Sequence, residues 1–268
     1  MTNKLFSFAL IALVFSLVFT SCKKEDEINP NDKNSLFVNF ENKVGASALT
    51  LGTAYTNGSG EDFTVTTLNY FISNVSLKKE DGTTVSFPNQ YFLIRQSDAS
   101  TWSPELKDVP AGNYTSITFN VGVDSTKSVS DVSQRTGALD VATNGMYWSW
   151  NSGYVFFRFE GTSSVVPASS SGAKAFQLHV GGYGGIAATS KTANNNRSVT
   201  LALPTKATVR NNIAPKLQMY ADLAKVFNGT TVLKLATTNS VHSPAAAVPI
   251  ANNYATMFSV NRVDNDAK

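Results

Sequence analysis

Cysteine is almost absent: the chain of 268 residues has one, Cys22, and histidine occurs only twice, at His179 and His242. A single cysteine forms no internal disulfide, and beyond it thiolate metal sites and paired-cysteine redox chemistry are excluded. Charge is sparse too, at 15% of residues where an average domain carries ~25%, with a net of +3 and basic residues scattered rather than striped. That distribution gives the folded domain no footprint for nucleic acid or for an anionic membrane surface. Catalytic signatures are also missing: no Gly-x-Ser-x-Gly elbow, no Walker lysine, and no strand–GxGxxG–helix context around Tyr183. A glycosidase needs two facing carboxylates. Asp124, Asp140, Glu160 and Asp222 are available, yet each reads equally as a turn, cap or surface residue, so the chain reads as a non-enzyme.

What is present begins with an address. Lys4 precedes an apolar run from Leu5 to Phe19, followed by Thr20, Ser21 and Cys22. The run is shorter than the ~20 residues of a spanning helix and ends in small residues, as a secretory signal does. The residues before Cys22 resemble a lipobox, which makes 1–21 a signal peptide and Cys22 the lipidated first residue of an outer-membrane lipoprotein. The other reading is an ordinary cleaved signal with a thiol nearby. "KKEDE", Lys23 to Glu27, resembles an export signal to the outer face of the outer membrane, and reads equally as a charged linker. Residues 22–34 then form a lipidated, flexible tether, and 35–268 a single domain.

The domain is written in short alternating segments. "SLFVNFEN" puts Leu36, Val38 and Phe40 on one face, which is strand period. "NYFISNVSLKKEDGTTVSF" reads as a hairpin, with Asp81-Gly82 suited to a type I′ turn. Further strands are expected at 91–95, 113–123, 154–161, 174–180, in "SVTLALP" and in "KATVR". This spacing points to an all-β fold, an antiparallel β-sandwich of immunoglobulin-like or Greek-key type. One or two short C-terminal helices are expected: one at "ADLAKVFNG" with Asp222 capping and Gly229 ending it, one within Pro249–Phe258.

His179 stands in "AFQLHVGGYGG", where Leu178 and Val180 alternate with Gln177 and His179, so its direction depends on which face is buried. His242 lies far along the chain, in a connection broken by Pro244. Lone histidines in secreted β domains are ordinarily surface or hydrogen-bonded residues; a shared metal site requires the fold to join a strand end to a loop.

Several segments, in order across nearly the whole domain, resemble the MbnP-like copper-binding family: "LNYFISNVSL", "FNVGVDS", "GALDVATNGMYWSWNSGYVFFRFEG", "FQLHVGG", "DLAKVFNG" and "VHSPAAAVPIANNYATMF". The resemblance implies an antiparallel β domain and copper held by two histidines, carried over here to His179 and His242. Neutral imidazole suits copper, which heads the divalent affinity order. In some relatives a tryptophan two residues before the first histidine is oxidised to kynurenine by a partner di-haem oxidase of the MauG type. Gln177 stands there in this chain, which leaves Met146, Trp148 and Trp150 as auxiliary ligand candidates; all three read equally as packing.

The expectation is a lipoprotein, bound to the membrane through its N-terminal lipid, that sequesters or delivers copper, with the oxidase or an outer-membrane receptor as partner. The alternatives are a metal-free surface binding or adhesion domain, with the histidines far apart, and an auxiliary lipoprotein of an outer-membrane uptake complex, marked by a large exposed apolar patch.

Overall fold

The computed structural model describes residues 28–149, 153–185 and 191–266; the signal segment, Cys22, the start of the tether and Trp150 lie outside the described residues. In chain order the strands are β1 (Lys33–Val44), β2 (Ser47–Ala48), β3 (Ala54–Thr56), β4 (Asp62–Lys79), β5 (Thr84–Arg95), β6 (Glu105–Pro110), β7 (Gly112–Val121), β8 (Tyr147–Trp148), β9 (Gly153–Thr162), β10 (Ala175–Gly181), β11 (Arg197–Val209), β12 (Lys216–Asp222), β13 (Ser240–Val241) and β14 (Phe258–Asp264). The helices are short: α1 (Ser125–Ser128), α2 (Ala224–Phe227) and α3 (Val248–Tyr254).

Two sheets face one another. The smaller runs β14-β12-β1-β2 with β6 on β1; the larger runs β11-β7-β4-β9-β10-β13, with β3 and β5 on β4 and β8 on β9. Alternation drives the closure. Leu36, Val38 and Phe40 of β1 turn inward, and Phe40 meets Phe119 and Tyr70 of the larger sheet edge-on at 6.1 Å. Most ladders are antiparallel, but β1–β12 and β10–β13 are parallel, pairings that alternation does not reveal.

Several expectations meet details. β1 begins at Lys33, two residues inside the expected tether, because Lys33 and Asn34 pair with Pro110 and Val109 of β6; the Asn34 side chain also donates to the carbonyls of Arg210 and Asn211. The two segments "SVTLALP" and "KATVR" are one bulged strand, β11. In the loop between β4 and β5, residues 80–83, only Gly82 takes a positive φ, +88°, so the loop is not the two-residue type I′ turn. Asp222 accepts from the backbone N–H groups of Ala224 and Gly45, tying the start of α2 to the end of β1.

The larger sheet is covered on its outer face as well. Residues 124–149 leave the sandwich and return, and a second core forms there from Phe71, Leu93, Val123, Leu139, Met146, Trp148, Tyr154, Val155, Phe156 and Tyr183. This cover stops beside the outer face of β9 and β10, where polar residues begin.

Candidate metal centre

On β10, Phe176, Leu178 and Val180 are buried in the main core, which sends Gln177 and His179 to the outer face. On β9, Phe157 and Phe159 turn inward, and Arg158 and Glu160 share the outer face with His179, which sits opposite Arg158. Glu160 Oε1 lies 2.7 Å from His179 Nε2, and the pair is mostly covered, at 12% and 14% side-chain exposure. Arg158 grips the same carboxylate with both arms, Nε at 2.9 Å and Nη2 at 3.1 Å, and its Nη1 donates to the Gly145 carbonyl.

Electrostatics fix the protons. Burial pushes the Glu160 carboxyl up, but the Arg158 fork and the His179 ring outweigh it and hold it below its ordinary range. Burial likewise draws the His179 imidazole below its ordinary value, against the upward pull of Glu160. An ionised carboxylate only accepts, so Nε2 of His179 carries the hydrogen and Nδ1 keeps a free lone pair.

That lone pair faces the second histidine. β13 adds to β10 in parallel, Gln177 opposite Ser240 and Leu178 opposite Val241, and the next residue in each segment is a histidine, His179 within β10 and His242 just past β13. The two Nδ1 atoms lie 3.2 Å apart, with ring centroids at 4.6 Å and planes at 90°. Since His179 Nδ1 accepts, His242 Nδ1–H donates in the metal-free state.

The fit to copper is thus two half-covered imidazole nitrogens aimed at each other. Two metal–imidazole bonds of ~2.0 Å span at most ~4 Å, so a single ion reaches both. Among the described residues no group of three or more His, Cys, Asp or Glu side chains could hold an ion, and Glu160 is turned to the back of His179. Of the auxiliary candidates, Met146 is wholly buried in the outer core, a cluster of aliphatic and aromatic side chains. Trp148 lies over Gly181, the next outward position along β10 from His179: a Cβ on Gly181 would come within 2.6 Å of its ring. Gln177 is exposed on the other side of His179. Asp124, Asp140 and Asp222 serve as turn and helix caps, accepting from the N–H groups of Lys127, Ala142 and Ala224.

Arg158 and Asn195 were not legible as site residues. Asn195 is fully buried, and its Nδ2 donates to the carbonyls of Gly181 at 2.7 Å and Pro244 at 2.8 Å. Only the strand register aligns "RFE" with "QLH"; the polar alternation in both was the one available signal.

The adhesion alternative expected distant histidines, and here they touch. Exposed large apolar residues among those described are Ile28, Val129, Val132, Val165 and Val232.

Comparison with known proteins gives a family and a similar solved structure. The MbnP family model matches residues 33–243, a span that contains both histidines. The solved structure of MbnP from Methylosinus trichosporium is similar over 75% of this chain and 80% of its own, at 17% identity and a TM-score of 0.47. Comparison with curated proteins returned no match.

Proposed function

The chain belongs to the MbnP family, and on that premise we propose that it is a copper-binding lipoprotein of the outer membrane or periplasm that sequesters or delivers copper through His179 and His242. Family membership carries the copper-associated role. The observation that supports this pair of ligands is the 3.2 Å approach of their Nδ1 atoms. Copper, as cargo, is served by neutral nitrogen donors, and burial keeps His179 neutral. Glu160 acts behind it: by accepting the Nε2 hydrogen it orients the ring and makes Nδ1 more basic, the part a carboxylate plays behind a ligating histidine. Arg158 in turn keeps Glu160 ionised and in place.

A Cu(I) competition titration of the purified protein tests the reading, with His179→Ala and His242→Ala alongside. The expected result is one-to-one binding lost in both variants. Binding indifferent to both substitutions overturns it. The sequence of the first 22 residues supports the anchor, and mass spectrometry of the cell-derived protein checks it: an acylated N-terminal Cys22, absent in Cys22→Ala, is expected.

A further inference from the structure

Asn195 holds two chain segments with one amide group. Its two acceptors, the carbonyls of Gly181 and Pro244, each lie two residues beyond a histidine, Gly181 after His179 and Pro244 after His242. The residue is 0% exposed, and its own backbone is fixed as well: its N–H donates to Gly182 O at 2.8 Å, and its carbonyl accepts from the Tyr254 hydroxyl. Both amide hydrogens are spent on this bridge, and the Oδ1 acceptor finds no hydrogen-bond partner among the described residues. A buried acceptor left unmet is costly and calls for a reason. Gly182 shows how closely the strands meet: with φ at +109°, a Cβ there would lie 2.6 Å from Pro244 Cβ and 2.5 Å from Ala193 O.

We infer that Asn195 is the positioning residue that sets the separation of the two imidazoles. β13 pairs with β10 over only two residues and ends at Val241. Without a second tie past His242, the segment that carries it is free to swing from β10. The Asn195 amide supplies that tie at the same distance beyond each histidine, with Gly182 leaving the room for Pro244 to sit against β10. The copper consequence rests on the two-histidine reading; the geometric one does not.

The test therefore reads both. In metal-free, ¹⁵N-histidine-labelled full-length protein, NMR of the wild type should show His179 as the Nε2–H tautomer with Nδ1 accepting from His242. Asn195→Ala, Asn195→Ser and Gly182→Ala should each lose the bond between the rings while His179 keeps its Nε2–H signature toward Glu160. Cu(I) affinity should fall by roughly 10-fold or more, the scale of effects seen when support behind a ligand is removed. Asn253→Ala is the control. Asn253 is equally buried and its Nδ2 also bridges two carbonyls, of Val226 and Thr231, the nearer of them eleven residues before His242. It should lower the melting temperature and leave the ring-to-ring bond intact. Wild-type imidazole signals in the Asn195 variants, or the same loss in Asn253→Ala, overturns the assignment. If the wild type binds no Cu(I) but the ring bond still depends on Asn195, the copper reading fails and the positioning role stands.

Discussion

The two histidines are carried by unlike pieces of chain. His179 sits in a strand paired to β9 over seven residues, with a carboxylate and a guanidinium locked behind its ring. His242 follows a two-residue strand in a long strap, residues 228–247, that has little regular structure of its own. The strap is held instead by individual side chains. Glu61 accepts from the backbone N–H groups of Leu235 and Ala236, Asn239 reaches back to the Leu235 carbonyl, and Asn195 takes Pro244. One half of the site is thus set by sheet register and the other by a few polar clamps. A ladder distributes its free energy over many bonds, whereas a clamp concentrates it in one residue.

Substitutions should separate the two halves. The largest effect is expected from removing either ring: His179→Ala or His242→Ala should weaken Cu(I) binding by more than ~100-fold, beyond what loss of a supporting residue does. Glu160→Ala should follow, with a loss of about 10- to 100-fold in affinity, while Glu160→Gln, which still offers an acceptor to Nε2, should lose less. Competition titration against a chelator reads both.

The strap can also be loosened at a clamp that contacts neither histidine. Glu61→Ala leaves two backbone N–H groups without their acceptor and should cost about 2–4 kcal/mol of stability by denaturant unfolding. Hydrogen exchange should quicken at Leu235 and Ala236 but not in β10. pH should act on the same clamp. Burial raises the Glu61 carboxyl, but the Asn57 side chain and the Ala236 and Leu235 amides outweigh it, so its folded value lies below the ordinary 4.5. A depressed carboxyl contributes stability that is full above the unfolded value and is lost as pH falls through the folded one. Amide protection of the strap should therefore decline below about pH 4.5, and Glu61→Gln should flatten that dependence. The smallest effect belongs to Gln177→Ala. That side chain is exposed, so stability should change within ~0.5 kcal/mol, and an unchanged copper absorption-edge spectrum would show that the residue two before His179 is not a ligand.

The same contrast separates what could be read from the sequence and what could not. β1, β7, β9 and β10 announce themselves because one face of each is buried and period-two alternation follows. The ends of the last two helices were visible in Asp222, Gly229 and Pro249. β6 was not, since in "ELKDVP" the buried Leu106 and Val109 fall out of alternation where Asp108 takes a positive φ of 56°. β13 is too short to carry a pattern, so nothing local says that Val241 and His242 return to β10. The family resemblance paired the two histidines; residue patterns alone left them as separate, ordinary positions. Glu160 was on the page as one of four carboxylates, but its tie to His179 is a matter of register, which a sequence does not print.

The hydrogen bond between the two rings has a kinetic meaning. The two rings satisfy each other, so the pair is a latch closed by one hydrogen rather than two waiting lone pairs. On the proposed copper reading, loading would require that hydrogen to shift from His242 Nδ1 to Nε2, which keeps the ring neutral, before Nδ1 can bind, and unloading would reverse the shift. Cu(I) uptake on that reading should run slower in heavy water than in light water, and ions too weakly bound to drive the shift should load poorly.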